Sequence, residues 1–322
     1  MVKQPALSVT GYTSEHARLT RSAAYASIAV ALLLVVIKVW ATARTGSTAM
    51  LGSLADTTLD LIASMATLAG VWIAAMPADE DHRFGHGKAE ALAAMLQVVL
   101  IALSAAGILF RAVGQLLAGA RTEAAEEGIA VSLVAMVATF GLLAWQRHVI
   151  RKTGSIAIST DHLHYKSDLV LNLAVIAALV LDHFVRLKGA DALFGIAIAL
   201  WLGWGAWRAS SEAIDQIMDR EWPEWRREEF LAVVARHPAL RGVHDLRTRT
   251  SGAHDFAQFH ASVDPQMTVA EAHRVMDEIE EELERAFPGV EVLIHPDPEG
   301  LVNEDGTAAQ ELLPELVARK ED

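Results

Sequence analysis

The sequence predicts a membrane protein with six transmembrane helices followed by a small water-soluble α+β domain. Of its 322 residues, 52% are hydrophobic, and the mean hydropathy of +0.29 is high for a soluble protein. The apolar residues come in long blocks, and a helix needs about 20 such residues to cross a bilayer. After Asp219 the pattern changes to short, charged helix and strand segments.

The apolar blocks are separated by charged or turn-forming residues. They place transmembrane helices near residues 23–40, 49–76, 89–117, 128–145, 155–184 and 192–207. The first block is too long for the core of a secretory signal peptide, and further spans follow it. Lys and Arg are more frequent in the connections on the side that carries both termini, so both termini are predicted to be cytoplasmic. The predicted organisation is an N-terminal cytoplasmic segment (1–17), a transmembrane domain (18–221), a cytoplasmic domain (222–300) and an acidic C-terminal tail (301–322).

The cytoplasmic domain shows the order helix, strand, strand, helix, strand. The predicted elements are a helix over 223–237, strands over 243–250 and 256–263, a helix over 268–287 and a strand over 290–295. Trp225 and Phe230 fall on the apolar side of the first helix. Thr268 and Glu271 form the capping-box pattern at the start of the second helix. In this αββαβ order, helices cover one face of a sheet.

Charge and cysteine content exclude several classes of protein. The formal net charge of −13 argues against nucleic acid as a partner, because such partners are bound by basic surfaces. The sequence contains no cysteine, so neither disulfides nor thiolate ligands are available. Any metal ion would be bound through nitrogen and oxygen atoms.

Ionisable residues interrupt two of the predicted spans at a spacing of four residues. Asp56 and Asp60 lie on the second span, and His164 and Asp168 lie near the start of the fifth. A spacing of i, i+4 places each pair on one helix face. A charge at the centre of a bilayer costs about 2.5 to 3.5 kcal/mol on insertion scales, so these groups need a partner, an ion or a water-filled cavity. Three carboxylates and one imidazole facing a single point form a ligand set for a divalent transition metal.

Further polar residues extend both helix faces, which leaves a second interpretation open. Ser64 continues the face of the second span, and Asp161 and Asn172 continue that of the fifth. Such residues can form buried networks that only fix helix packing. This interpretation suits the serine and the asparagine better than the aspartates and the histidine, because of the cost of intramembrane charge.

A second candidate metal site lies in the connection between the second and third spans. Asp79 precedes His82 by three residues, and His82 precedes His86 by four. Glycines on both sides of His86 allow the backbone to bend around an ion. The alternative is a solvated charged loop that only sets the membrane topology.

A third candidate site lies in the cytoplasmic domain. His295 and Asp297 are two residues apart on a predicted strand, so their side chains point to the same face, about 6.6 Å from one another. His244 and His260 lie on the neighbouring strands, and His273 lies on the helix that packs near them. A single histidine on a strand is usually structural, but four that converge with an aspartate favour a metal site.

Four motifs in order resemble those of the cation diffusion facilitator family, and within it those of the bacterial zinc and ferrous-iron efflux exporters. The resemblance runs from about Arg18 to Pro298. The motifs are Asp56-x-x-x-Asp60, the Asp79/His82/His86 loop followed by Gly-Lys-Ala-Glu90, His164-x-x-x-Asp168, and His244-Asp-Leu-Arg-Thr-Arg with the later Ile-His295-x-Asp297-Pro.

The resemblance implies a homodimer in the bacterial inner membrane that exports Zn²⁺, with Fe²⁺, Cd²⁺ and Mn²⁺ as further candidate substrates. Exchange for protons is a hypothesis from charge, because buried like charges raise carboxylate pKa values and protons would replace the departing metal among three carboxylates. The resemblance also implies cytoplasmic domains of metallochaperone-like fold that associate through bridging metal ions. Three sets of residues follow from it: a transport site (Asp56, Asp60, His164, Asp168), a loop site (Asp79, His82, His86) and an interface site (His244, His260, His273, His295, Asp297). Similar exporters also tie their membrane halves together by an ion pair, for which Lys88 and Asp219 are the candidates here.

One departure from relatives bears on selectivity. Many eukaryotic vesicular zinc carriers resemble this chain but have histidine at the position of Asp56. A carboxylate in place of an imidazole makes the site harder, so weaker discrimination of Zn²⁺ against Fe²⁺, Mn²⁺ or Cd²⁺ is expected.

Two alternatives come from other classes of protein. An intramembrane metalloprotease normally carries a His-Glu-x-x-His motif, which is absent from the sequence. A membrane-anchored metal sensor without transport stays open, although an anchor needs no intramembrane carboxylates.

Overall fold

The computed structural model describes residues 10–45, 48–118, 129–185 and 190–300. The chain divides into two compact units, one of residues 16–215 and a second that contains the residues from 216 onwards. The first nine residues of the predicted N-terminal segment and the predicted acidic tail, 301–322, lie outside the described residues.

Six long helices are described in the membrane part of the chain, as the sequence predicts. They are α1 (Thr10–Thr45), α2 (Thr48–Ala74), α3 (Ala89–Ala118), α4 (Ile129–Thr153), α5 (Ile156–Val185) and α6 (Ala190–Ile217). The first helix therefore begins inside the predicted N-terminal segment. Over the described residues, four stretches are long and apolar enough to cross a membrane by length and composition: Ser14–Arg44, Asp56–Ala74, Ala89–Leu117 and Ala192–Ile217. In α5, Asp161, Lys166 and Asp168 interrupt the apolar run.

Small residues let α2 and α3 approach closely. A methyl group added to Gly70 would lie 2.4 Å from Cβ of Ala93 and 3.0 Å from the carbonyl oxygen of Ala89. No larger residue fits at position 70 without moving one of the two helices, which is typical of helix contacts in membranes. The same contact holds Thr67 of α2 within hydrogen-bond distance of Gln97 of α3 (2.6 Å).

The second unit, here called the cytoplasmic unit after its predicted location, has the predicted order of elements over residues 216–300. They are α7 (Glu224–Val234), β1 (Gly242–Ser251), β2 (His254–Val263), α8 (Val269–Ala286) and β3 (Val290–Pro298). Within residues 216–300 the strands form one sheet in the order β1-β2-β3, with β1 antiparallel and β3 parallel to the central β2. The register pairs His260 with His244 on one side and with His295 on the other. Three histidines therefore form a row across the sheet.

The helices of the cytoplasmic unit cover the sheet through an aromatic core. The Phe230 side chain is fully buried, and its ring centroid lies 5.9 Å from that of Phe259 and 5.5 Å from that of Phe287. The expectation that Trp225 shares this apolar face is wrong, because Trp225 is 62% exposed. It precedes Phe230 by five residues, which is about 140° around the helix, so it lies away from the buried face that Phe230, Leu231 and Val234 form.

The predicted capping box at the start of α8 is confirmed. The Thr268 side chain accepts a hydrogen bond from the backbone N–H of Glu271, and the Glu271 carboxylate accepts one from the backbone N–H of Thr268 (2.8 Å). Hydrogen bonds donated to this carboxylate by the backbone N–H and the hydroxyl of Thr268 lower the pKa of Glu271 below its ordinary value. The helix start is thereby fixed beside β3, the strand that carries His295.

Replacing Phe230 by alanine is expected to lower the free energy of unfolding of the cytoplasmic unit by about 3 to 5 kcal/mol, because a large buried cavity forms between α7 and the sheet. Hydrogen exchange of β2 amides in the full-length protein measures this change. Trp225→Ala is the matched control, and its exposed side chain predicts a change within about 0.5 kcal/mol. Equal exchange in both variants would contradict the assigned core.

Candidate metal centres

Asp60, His164 and Asp168 meet between α2 and α5. The Nε2 atom of His164 lies 3.0 Å from Oδ1 of Asp60 and 3.8 Å from Oδ2 of Asp168. One ligand atom of each residue lies within 4.8 Å of the other two. Zinc binds imidazole and carboxylate ligands at about 2.0 to 2.2 Å, so one ion placed between the three atoms can reach them all after small rotamer changes.

Asp56 lies one turn before Asp60 on α2, and its side chain is exposed. Among the described residues it is not part of the group whose ligand atoms lie within 4.8 Å of one another. The structure therefore brings three of the four predicted transport ligands together. The role of Asp56 as the fourth ligand stays a prediction.

Asp161 forms the centre of a buried hydrogen-bond network one turn before His164. Its side chain is 0% exposed. Its carboxylate accepts hydrogen bonds from Oγ of Ser27 (2.6 Å), Nε2 of Gln97 (2.8 Å) and Nε2 of Gln146 (2.7 Å). These donors belong to α1, α3 and α4, so one carboxyl group ties three helices to α5. The packing-network interpretation of the polar faces thus describes Asp161.

Tyr165 connects this network to the transport ligands. Its hydroxyl donates to the backbone oxygen of Ser27 (3.2 Å) and lies 2.9 Å from Oγ of Ser64. Its ring stands edge-on to the His164 ring, with centroids 5.6 Å apart. Groups that fix the neighbours of a metal ligand in this way also fix the ligand itself.

Lys38 is a charged residue beside the transport ligands that the sequence interpretation overlooked. It lies inside the first predicted span, on α1, and its Nζ atom donates to Oγ1 of Thr57 at 2.5 Å. Thr57 directly follows Asp56 on α2. The sequence already indicated a functional role for Lys38, because an ionisable residue inside a membrane span is rare and is usually functional.

The structure brings the three residues of the predicted loop site together. Oδ1 of Asp79 lies 3.2 Å from Nδ1 of His82, and Oδ2 lies 3.3 Å from Nε2 of His86. Gly85 has a φ of 77°, which makes the bend between the two histidines. The backbone N–H of His82 donates to Asp79 at 2.7 Å and is the main reason that the pKa of Asp79 lies below its ordinary value. Asp79 is therefore ionised at neutral pH and available to a cation.

In the cytoplasmic unit, three histidines converge on one carboxylate. Oδ2 of Asp297 lies 3.2 Å from Nε2 of His244 and 2.8 Å from Nδ1 of His260. Oδ1 of the same aspartate lies 3.3 Å from Nε2 of His295. This cluster follows from the strand register, because His244, His260 and His295 are paired neighbours across the sheet.

Two residues of the cytoplasmic unit depart from the sequence interpretation. His273 lies 3.6 Å from Asp277 on its own helix, with a side chain 75% exposed, and is not among the clustered residues that the structure describes. Its role as an interface ligand stays a prediction. Asp245 was not predicted, and its Oδ2 lies 3.9 Å from Nε2 of His260. A β-bulge between His244 and Arg247 places it there, with Asp245 at a φ of 50°.

The predicted ion pair of Lys88 with Asp219 stays a prediction, because the two residues belong to different compact units. Within the cytoplasmic unit, Oδ1 of Asp219 lies 3.6 Å from Nη1 of Arg249.

Comparison with known proteins gives matches over nearly the whole chain. The family model described as "Cation efflux transmembrane domain" matches residues 24–218, and the one described as "Cation efflux protein, cytoplasmic domain" matches residues 222–299. The chain is 40% identical to the cation-efflux pump FieF of Serratia proteamaculans over 92% of this chain and 99% of that protein. It is 39% identical to the cation-efflux pump FieF of Klebsiella pneumoniae over 89% of this chain and 95% of that protein. Among solved structures, the metal-bound C-terminal domain of the CzcD transporter from Thermotoga maritima is 31% identical, with 24% of this chain and 91% of that chain covered and a TM-score of 0.23.

Replacing Asp161 by alanine is expected to lower the free energy of unfolding by about 3 kcal/mol or more, because donors on three helices lose their acceptor inside the membrane. Thermal unfolding of the purified protein in detergent measures this loss. Asn172→Ala on the same helix is the control, since its side chain is exposed and donates to the backbone oxygen of Asp168 on its own helix. If both variants unfolded at the wild-type temperature, the network would carry no stability.

Proposed function

We propose that this chain, which belongs to the cation diffusion facilitator family, exports Zn²⁺ from the cytoplasm in exchange for protons. Family membership itself makes the chain a membrane transporter for the efflux of divalent metal cations, and not an enzyme. The identity of the metal and the proton exchange are our proposal. The observation that carries it is the convergence of His164 on Asp60 and Asp168 between two membrane helices.

The donor set of the transport site supports the carriage of a metal ion. Asp60, His164 and Asp168 offer three ligands, and Asp56 on the next turn of α2 would supply the fourth. Four protein ligands satisfy tetrahedral Zn²⁺ and leave no open position for a water molecule. A closed site suits transport, whereas metal-catalysed hydrolysis needs an open position.

The charge of the site supports exchange with protons. Three carboxylates close together in a medium of low dielectric repel one another when the metal leaves, and protons relieve that repulsion. We infer that His164 and one of the aspartates carry the protons. Metal moving outward would then be exchanged for protons moving inward, as the membrane helices alternate in access around the fixed site.

The hardness of the ligands bears on selectivity. Carboxylates outnumber imidazole in this site, and carboxylate oxygens also bind Fe²⁺, Mn²⁺ and Cd²⁺. We therefore propose Zn²⁺ as the main substrate and these ions as secondary substrates.

The cytoplasmic unit matches the cytoplasmic domain of cation efflux proteins, and we propose that two copies of the chain pair through it. Metal bound by His244, His260, His295 and Asp297, with His273 added at the interface, would tighten the dimer when cytoplasmic metal is high. Such coupling between a regulatory site and a transport site is allosteric. The loop site would act in the same regulatory sense, and the Lys88–Asp219 pair would tie the membrane halves together. We place the dimer in the bacterial plasma membrane, with both termini in the cytoplasm.

Purified wild-type protein in sealed proteoliposomes is expected to transport Zn²⁺ fastest among Zn²⁺, Fe²⁺, Mn²⁺, Cd²⁺ and Co²⁺, and to move internal pH as it does so. Asp60→Ala should lower the flux at least about 100-fold, because a ligand of the transported ion is lost. Glu212→Ala is the control, because it removes an exposed carboxylate whose partner is the exposed Arg208 on the same helix. A Zn²⁺ flux that does not change with an imposed pH gradient would refute the exchange of metal for protons. Metal binding without any flux would favour the alternative of a membrane-anchored metal sensor.

Replacing His260 by alanine is expected to weaken Zn²⁺ binding at the cytoplasmic cluster about tenfold or more, since His260 is the central member of the histidine row. Activation of transport by cytoplasmic Zn²⁺ and metal-dependent dimerisation should fall together. Flux at graded Zn²⁺ and sedimentation of the full-length protein in detergent measure the two effects. His254→Ala, at the start of the same strand but outside the cluster, should behave as wild type. Equal activation by Zn²⁺ in the wild type and in both variants would exclude regulation by the cytoplasmic cluster.

A further inference from the structure

Lys38 is a cationic side chain in the membrane-crossing part of α1. It lies within the apolar stretch Ser14–Arg44, and its side chain is half-buried. Lysines near helix ends usually extend toward the polar interface. Here the ammonium group turns to α2 instead and donates to Oγ1 of Thr57 at 2.5 Å.

The position of Thr57 directs that ammonium group at the transport site. Thr57 is 2% exposed and lies between Asp56 and Asp60 on α2. The bond to Thr57 therefore holds the ammonium group next to the turn of α2 that carries Asp56 and Asp60, whose negative charges attract it. The described charged groups at this pocket are therefore the Lys38 ammonium from α1, the Asp60 carboxylate from α2, and His164 with Asp168 from α5. Asp56, whose side chain is exposed, lies one turn before Asp60 on α2.

We propose that Lys38 is the resident counter-charge of the transport pocket. A carboxyl group must be deprotonated to bind a metal, so the proposed ligands Asp56, Asp60 and Asp168 would contribute three negative charges to the loaded site. A divalent ion with a neutral imidazole ligand leaves about one of these charges uncompensated. The Lys38 ammonium offsets that remainder. The inference deepens the proposed function and rests on its assignment of the transport site.

Two consequences follow from a fixed positive charge beside a transported cation. The loaded pocket is close to neutral, which lowers the cost of holding it in a medium of low dielectric. The ammonium also repels the entering ion, so the metal is bound less tightly and is released faster than carboxylates alone would allow. Lys38 thus limits affinity in favour of turnover.

Replacing Lys38 by neutral residues tests whether its positive charge weakens metal binding. Lys38→Met and Lys38→Gln are expected to tighten Zn²⁺ binding at the transport site at least about tenfold, which corresponds to about 1.4 kcal/mol, while maximal flux falls. Lys38→Arg keeps the charge and should stay within about twofold of wild type in both quantities. Calorimetric titration of the full-length protein with Zn²⁺ measures affinity, and the binding component that Asp60→Ala removes belongs to the transport site.

Lys166→Met is the matched control. It removes a positive charge from α5, two residues before Asp168, but its ammonium lies over the Trp201 ring, 5.4 Å from the centroid. Its transport-site affinity should equal that of wild type. Zn²⁺ binding by the cytoplasmic cluster, unchanged in each variant, verifies that the chain is folded.

Unchanged or weaker Zn²⁺ binding in the two neutral variants would overturn the proposal, and so would an arginine variant that tightens binding as they do. A merely structural role of Lys38 predicts weaker binding, which is the opposite sign. If Asp60→Ala kept both binding and flux, the proposed function itself would fail. If it lost both while Lys38→Met matched wild type, only the role of Lys38 would be wrong.

Discussion

The cost of placing charge in a medium of low dielectric governs the membrane part of this protein. Asp161, His164 and Lys38 each have a compensating neighbour there. Asp161 is surrounded by neutral donors from three other helices, whereas His164 lies between two carboxylates. Lys38 is directed at α2. The carboxyl group of Asp161, whose hydrogen bonds come from other helices, stabilises helix packing. Asp60, His164 and Asp168 contact mainly one another and form the site that an ion can enter.

In the cytoplasmic unit the corresponding constraint is strand register. The central position of β2 pairs His260 with histidines on both neighbouring strands, and the alternation of side chains along β3 adds Asp297 to the same face. A slip of one residue on any strand would move its ligand to the opposite face. The core beneath the sheet therefore maintains the ligand cluster as well as the fold.

Sequence periodicity predicted those parts of the fold and site that depend on one element at a time. The i, i+4 pairs on α2 and α5, the capping box of α8 and the alternation on β3 all have fixed geometry within a single helix or strand. Lys38 was overlooked because its role depends on how α1 faces α2. Asp245 could not be predicted, since the bulge that turns it toward His260 has no signature in the sequence. Trp225 was assigned to the apolar side of its helix, although its position five residues before Phe230 leaves it in solvent.

The close contact between Gly70 and Ala93 makes the spacing of α2 and α3 important at positions that do not bind metal. Because a single added methyl group would force α2 from α3, the distance between Thr67 and Gln97 depends on a hydrogen atom at position 70. Gln97 in turn holds Asp161, one turn from His164. A genetic screen for metal sensitivity should therefore recover bulky residues at position 70 together with losses of the ligands themselves, although glycine never touches the cargo.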